Sequence, residues 1–420
     1  MKEICLKEKC TACTACYSIC SRGAIEMKAD QAGYLYPHVD SVKCIDCNAC
    51  VKVCPVNNPL LLKDPTHSIA AYSKNMADRQ SSASGGVASV ITQYILKNKG
   101  IVYGCVQENA AHIGHQRIED LLLAEKLKGS KYVHSYIEDN YCRVKEDLKK
   151  GKLVLFVGTP CQVAGLKSFL RKDYENLFLV DLCCHGVPSQ QFLFENIDYI
   201  RKYKEIPDIE HLQVSFRKKK LIKIWSILNP NLISQEIKFG LFLYSGDQLV
   251  YEQYTPNDYY ISGFLSGLFF RPNCFTCPYA RRERVSDITL ADHWGMGKSE
   301  NPEMKVHKGL STILINTPKG YDLFRSIKDC IVFEERSWKE SIDGNGQFKQ
   351  AFEKPENYND FQKDYLSIGY VEACKKHLSE YKRKQRIIKV KNKIANIPFV
   401  RSIYHSLKKV KHDFIHERNL

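Results

Sequence analysis

The sequence predicts a small cysteine-rich α+β module, then a larger α/β domain with a mixed sheet, then a basic helical tail. Three observations lead there. Two nearly identical runs, CTACTACYSIC from Cys10 and CIDCNACVKVCP from Cys44, dominate the N-terminal section. Strand-like apolar runs then alternate with amphipathic stretches to about residue 370. From Lys375 to Leu420, 14 Lys and Arg stand against three acids, so this segment carries +11 of the net +15. With 420 residues and 44% apolar side chains the chain can bury more than one core. The expected boundaries are 1–60, 61–374 and 375–420, the first following the turn-forming VNNP at Val56 to Pro59.

Cysteine usage sets the compartment. Eight of the 18 cysteines sit in two tight runs of a long chain, whereas disulfide scaffolds are short with dispersed cysteines. No run nears the roughly 20 apolar residues that cross a bilayer. MKEICLKEKC lacks a signal peptide's apolar core. The expectation is a cytoplasmic chain in a reducing compartment.

Each run spells C-x-x-C-x-x-C-x-x-x-C. Two-residue gaps let three successive thiolates of one loop wrap a cubane [4Fe-4S] core, and in the bacterial ferredoxin pattern the fourth thiolate comes from the other run. Cys10, Cys13, Cys16 and Cys54 then hold one cluster, and Cys44, Cys47, Cys50 and Cys20 the other. Pro55 follows Cys54 as that pattern expects, while Ser21 follows Cys20. Zinc prefers paired C-x-x-C units with a longer spacer, which leaves the third close cysteine of each run without a role. Two closed clusters imply one-electron relay. Cys5 lies outside the pattern and reads as a structural thiol.

In the middle section IVYGCV (101–106), LVLFV (153–157), LFLVDL (177–182), ITLAD (288–292) and STILIN (311–316) read as strands, several leading through Gly, Pro or Asp into a helix. LQVSFRKKK and IKFGLFLYSG read as antiparallel additions. ASGGVASVI is a small-residue turn opening an apolar helix with Ser84 at its N-cap, a start that suits a phosphate or a flavin's polar edge; a simple capped turn fits it as well. Thr159, in GTPC, sits where a strand meets a helix, the usual ligand edge of an α/β sheet. Cys161, Cys184, Cys274 and Cys277 make a second set of four thiols suited to a third cluster, with Cys183 competing for the place of Cys184. Two core cysteines beside a reduced C-x-x-C are the bland reading of the same residues.

The order ASGG, KGSKY, GTPCQ, CHGVPS, a C-x-x-C followed by Pro and Tyr, and a DHWG turn, behind a two-cluster module, resembles the coenzyme F-420 hydrogenase/dehydrogenase beta-subunit family over roughly residues 1–370. The resemblance implies a ferredoxin-like two-cluster module, a flavin-binding α/β domain with a mixed sheet, and FAD exchanging hydride with a deazaflavin coenzyme or another substrate. It places Ser84, Gly85 and Gly86 against the flavin, with Thr159 and Asp292 as further cofactor contacts. Lys131 lies beside the ring, where a cation stabilises negative charge, and His185 is a proton donor near it. Asp292, Trp294 and Gly295 line the substrate pocket, although an aromatic at a turn also serves packing. The same resemblance strengthens the third [4Fe-4S] cluster.

The leading functional expectation is an iron-sulfur flavoprotein oxidoreductase with a small-molecule substrate and a ferredoxin or other electron-carrying protein as partner. Bacterial relatives of this kind accompany surface-polysaccharide biosynthesis. A second reading is an electron-transfer subunit feeding a partner enzyme. Ile387, Ile394, Ile397, Ile403, Leu407, Val410 and Phe414, with Pro398 between helical pieces, make the tail amphipathic. A Lys-rich helix suits the anionic inner face of a membrane, and a helix packed on the body fits the same pattern. Nucleic-acid binding is not expected, since the tail offers few stacking aromatics among its charges.

Overall fold

The computed structural model describes residues 3–224, 232–294, 296, 299, 301, 304 and 309–395. The N-terminal module pairs β1 (Ile25–Ala29) with β2 (Leu35–Val39) in an antiparallel hairpin and carries one short helix after each cysteine loop, Ala15–Ile19 and Ala49–Val53. The sequence repeat becomes a conformational repeat. Ala12 and Thr14 in the first run, and Asp46 and Asn48 in the second, all have φ between 51° and 63°. Non-glycine residues occupy that region at a cost, and it persists where the surroundings or a bound group over-determine it. Here it curls each loop so that its cysteines turn inward.

The large domain is built on an eight-stranded mixed sheet. Its strands are β3 (His67–Ser73), β4 (Ile101–Asn109), β5 (His112–Ile118), β6 (Val154–Gly158), β7 (Leu177–Leu182), β11 (Ile288–Asp292), β12 (Ser311–Ile315) and β13 (Ile331–Glu335), in the spatial order β13-β3-β12-β11-β7-β6-β4-β5. The four central strands β11, β7, β6 and β4 are parallel, and the flanking pairs are antiparallel. The five expected strands all form.

Alternation along these strands makes three layers, because successive side chains point to opposite faces. Val102, Leu155 and Val180 face helices Val87–Lys97 and Pro318–Ile327. Ile101, Tyr103, Val154, Phe156, Leu177 and Leu179 face helices Asn140–Lys149 and Pro160–Leu170. A separate antiparallel sheet of β8 (Gln213–Ile224), β9 (Leu232–Ser245) and β10 (Gln248–Tyr254) matches the expected antiparallel additions. It shares an aromatic core with helices Gln190–Arg201, Tyr259–Ser266 and Tyr358–Ile368.

The basic segment begins inside a helix, Tyr370–Ala395, that crosses residue 375 without a break. Ala373, Cys374 and Leu378 are buried in the aromatic core, so the first turns of this helix belong to the body. Ile397, Pro398, Ile403, Leu407, Val410 and Phe414 lie outside the described residues. No helix among the described residues is long and apolar enough to cross a membrane.

Candidate functional site

The two cysteine loops feed neighbouring sites. Cys10, Cys13, Cys16 and Cys54 line one cavity, so the fourth thiol does arrive from the opposite run. The hydroxyls of Thr11 and Thr14 are buried beside it with no hydrogen-bond partner, donors available to an inorganic sulfide. Burial pushes the Cys13 thiol up to about 12 and Cys16 well above the thiol range. Cys20, Cys44 and Cys50 pack in the same module core, with Cys47 exposed at its rim.

Cys5 is the surprise in this module. Its thiol hydrogen-bonds to the sulfurs of Cys10 and Cys54, and these contacts draw Cys10 down to about 6 and Cys54 to about 7. Five thiols therefore surround the first site. Only the repeat pattern had set Cys5 aside.

The module docks through this site. An added Cβ at Gly165 would meet Cys13 Cβ at 2.8 Å and Sγ at 3.0 Å, so a glycine in helix Pro160–Leu170 admits the Cys13 loop. Tyr34 closes the joint by donating its hydroxyl to the carbonyls of Phe269 and Phe270 at 3.1 and 3.2 Å.

The carboxyl ends of β6, β7 and β11 lie side by side, and the residues that follow them converge. Thr159 caps helix Pro160–Leu170, its backbone N–H donating to Gln162 Oε1 at 3.0 Å, while its hydroxyl lies 3.2 Å from Cys161 Sγ. Cys161, Cys184, His185, Cys274 and Cys277 all line one cavity, together with Thr11 of the module. Burial pushes Cys161 up to about 11 and Cys274 to about 12, with further upward pressure from the neighbouring thiolates. Cys184 feels Cys274, Cys161 and Cys277, whereas Cys183 lies among Arg284, Asp181 and Asp292. The geometry thus turns Cys184, not Cys183, toward the other three. Among the described residues no three His, Cys, Asp or Glu groups stand close enough to hold a single ion. Thiols spread around a void suit a polyatomic core better than one zinc.

The glycine turn lies at the same edge of the sheet. Gly85 N–H donates to Ser311 Oγ at 3.0 Å and its carbonyl accepts from Ser73 N–H at 2.8 Å, which pins the turn across β3 and β12. A Cβ at Gly85 would fall 2.5 Å from the Ala71 carbonyl oxygen, so only glycine fits. The expected cap is corrected here: Gly86, at φ 87°, is the N-cap of Val87–Lys97, and the Ser84 hydroxyl instead donates to the Leu310 carbonyl at 2.7 Å. The loop needs a left-handed residue at the cap, and Ser84 lies two residues too early.

Two residues absent from the sequence expectations complete this corner. Arg217 on β8 forms a two-point ion pair with Asp292 (2.7 and 3.0 Å) and donates to the Tyr132 hydroxyl. Lys219, two residues on, donates to the carbonyls of Arg79 and Ser84 at 2.5 and 2.8 Å. Burial and the charge of Arg79 pull its ammonium down to about 8. The signal was present in VSFRK: Val214 and Phe216 are core, so Arg217 and Lys219 share the other face. His185 stands near both Arg217 and Asp292, and burial lowers its pKa. Lys131 is buried, and its ammonium donates to the carbonyls of Lys126, Leu127 and Lys128 at 2.7 to 3.2 Å. Its nearest titratable neighbours are Cys105 and His115. Trp294 is partly exposed at the end of β11, and Gly295 lies outside the described residues.

Comparison with known proteins agrees with this architecture. Residues 151–341 match the family described as the C terminus of the coenzyme F-420 hydrogenase/dehydrogenase beta subunit, and residues 9–58 match the 4Fe-4S dicluster domain. The chain therefore belongs to the coenzyme F-420 hydrogenase/dehydrogenase beta-subunit family, an oxidoreductase family, and carries a module for two [4Fe-4S] clusters. A coenzyme F-420-dependent sulfite reductase of Methanocaldococcus jannaschii is 24% identical over 88% of this chain and 54% of its own length. The F-type subunit of the F(420)H(2) dehydrogenase of Methanosarcina mazei is 24% identical over 42% of this chain and 53% of its own. The chain spans about half the length of the curated relatives it matches. A chain of the xenon-derivatised F-420-reducing [NiFe] hydrogenase complex from Methanosarcina barkeri aligns with 76% of this chain and 93% of its own at 15% identity, with a TM-score of 0.41.

Proposed function

We propose that this chain is an iron-sulfur flavoprotein oxidoreductase that moves electrons between the paired N-terminal clusters and a FAD at the carboxyl edge of the main sheet. Cys161, Cys184, Cys274 and Cys277 hold a third [4Fe-4S] cluster on the way. The observation that carries the reading is that these four thiols, from three separate stretches of chain, line one cavity that also receives Thr11 from the first cluster loop.

The corner around Ser84 suits a flavin nucleotide. Arg79, Arg217 and Lys219 gather there, and Asp292 pairs with Arg217 alone among them. The surplus positive charge and the opening N–H groups of helix Val87–Lys97 favour a diphosphate. Gly85 keeps the turn flat against the sheet, Thr159 borders the cluster cavity, and His185 links that cavity to the Arg217–Asp292 pair. His185 is suited to pass a proton between the two. Lys131, fixed on backbone carbonyls, orders the KGSKY turn from beneath. When bound, FAD supplies two-electron exchange with an organic substrate and one-electron exchange with clusters.

The relatives' names point to a deazaflavin coenzyme as the first substrate to try, with a ferredoxin-type carrier as electron partner; a surface-polysaccharide intermediate is the other substrate class. The test is anaerobic turnover of the isolated chain with dithionite-reduced ferredoxin and oxidised deazaflavin, alongside flavin extraction. FAD in the extract with reduction of the deazaflavin supports the reading. FAD without turnover on any organic acceptor makes the chain an electron-transfer subunit, and material without flavin refutes both.

A further inference from the structure

Two arginines reach the cavity lined by Cys161, Cys184, Cys274 and Cys277, and they differ in one respect. Arg284 is neutralised by Asp181, buried beside it with Nη2 to Oδ1 at 3.1 Å. Arg271, only 2% exposed, has no carboxylate partner among the described residues. Its Nε donates to the Cys10 carbonyl at 2.8 Å, its Nη2 donates to the Leu35 carbonyl at 2.7 Å, and its guanidinium lies 4.2 Å from the Tyr36 ring centroid. Carbonyl dipoles and a ring face do not repay the desolvation of a full charge. An anion is missing from the account.

The position of Arg271 says which anion. It opens the turn Pro272–Thr276 that carries Cys274, and it holds the backbone of Cys10. It therefore lies between the first cluster site and the third cavity, and its charge acts on the thiols of both Cys10 and Cys274. A cluster ligated by four thiolates is an anion, and it gains one more negative charge on reduction. A fixed cation between two such groups stabilises the reduced form of each and screens their mutual repulsion.

We propose that Arg271 is a positioning residue that counterbalances the first and third clusters together, raising both midpoint potentials and easing transfer between them. This rests on the third cluster proposed above. Arg271→Gln keeps donors for the Cys10 and Leu35 carbonyls and drops the charge, and Arg271→Lys keeps the charge. The measurement is a redox titration followed by paramagnetic resonance on anaerobically purified holoprotein, with iron counted on the same samples.

Arg271→Gln is expected to lower two of three cluster potentials by at least the equivalent of a tenfold fall in the reduced-to-oxidised ratio, about 59 mV for one electron. The cluster of Cys20, Cys44, Cys47 and Cys50 stays put, and Arg271→Lys restores most of the shift. Unmoved potentials with about twelve irons retained overturn the proposal while leaving the third cluster standing. About eight irons in the wild type remove the third cluster, and the bridging role with it. If Arg271→Gln fails to accumulate as holoprotein, Arg271→Lys decides: wild-type potentials uphold the role of charge, and potentials lowered by the same tenfold equivalent overturn it.

Discussion

Arg217 and Asp292 join the two sheets of the large domain: the guanidinium comes from β8 of the small sheet, the carboxylate from the last residue of β11 in the main sheet, and they meet at 2.7 and 3.0 Å. Both side chains are mostly buried, at 12% and 15% exposure. Removing one partner leaves the other charge buried and uncompensated. Arg217→Met and Asp292→Leu are each expected to cost about 3 kcal/mol, and the double variant less than the sum. Chemical denaturation of the four proteins measures this. Additive losses would show that the two groups do not depend on each other.

Gly85→Ala puts a methyl group 2.5 Å from the Ala71 carbonyl oxygen and 2.8 Å from Ser311 N, both backbone atoms that cannot swing aside. The turn must lift off the sheet, at a cost of about 2 kcal/mol and with loss of bound flavin. Gly346→Ala is the control, since nothing lies within 4 Å of its added methyl. Flavin absorbance and melting temperature on both variants check the pair. Unchanged flavin in Gly85→Ala would remove this turn from the cofactor site.

Cys183 and Cys184 give opposite expectations although they are adjacent. Cys184→Ala should lose about a third of the iron, because its thiol faces Cys161, Cys274 and Cys277. Cys183→Ala should keep the full complement. Iron analysis of the two purified variants decides between them.

Asp147 provides a pH signature away from any cluster. Burial raises its pKa, but hydrogen bonds from Arg117 (2.7 and 3.3 Å) and the Tyr103 hydroxyl (2.6 Å) outweigh burial, and the net shift is down. A carboxyl lowered on folding stabilises above its unfolded value near 4, and that contribution fades as pH falls through the folded value. Unfolding free energies of wild type and Asp147→Asn should therefore converge as pH drops from about 6 to about 3. A constant gap would mean that the lost hydrogen bonds, and not the charge, account for the difference.

Much of this fold was legible because its strands are apolar and its ligands are spaced. Cysteine spacing alone gave the crossed ligand set of the first site, and five apolar runs gave the centre of the sheet. The flanking strands were harder. HIGHQRI in β5 mixes polar residues through an edge strand, and HSIAAYS in β3 relies on small residues packed from both sides. Arg217 and Lys219 were hidden in a run of charge that reads as solvated until Val214 and Phe216 are seen to be core. Whether Cys183 or Cys184 faces the cavity turns on the backbone after β7, which adjacent identical residues do not reveal. Arg271 stood out only once its partners were known.

The most direct test is iron and flavin analysis of anaerobically purified protein, with paramagnetic resonance of the wild type and Cys277→Ala. The account predicts about twelve irons and one FAD per chain, with one cluster signal, and only one, lost in the variant. Zinc in the N-terminal loops, or about eight irons in both proteins with identical spectra, would contradict it.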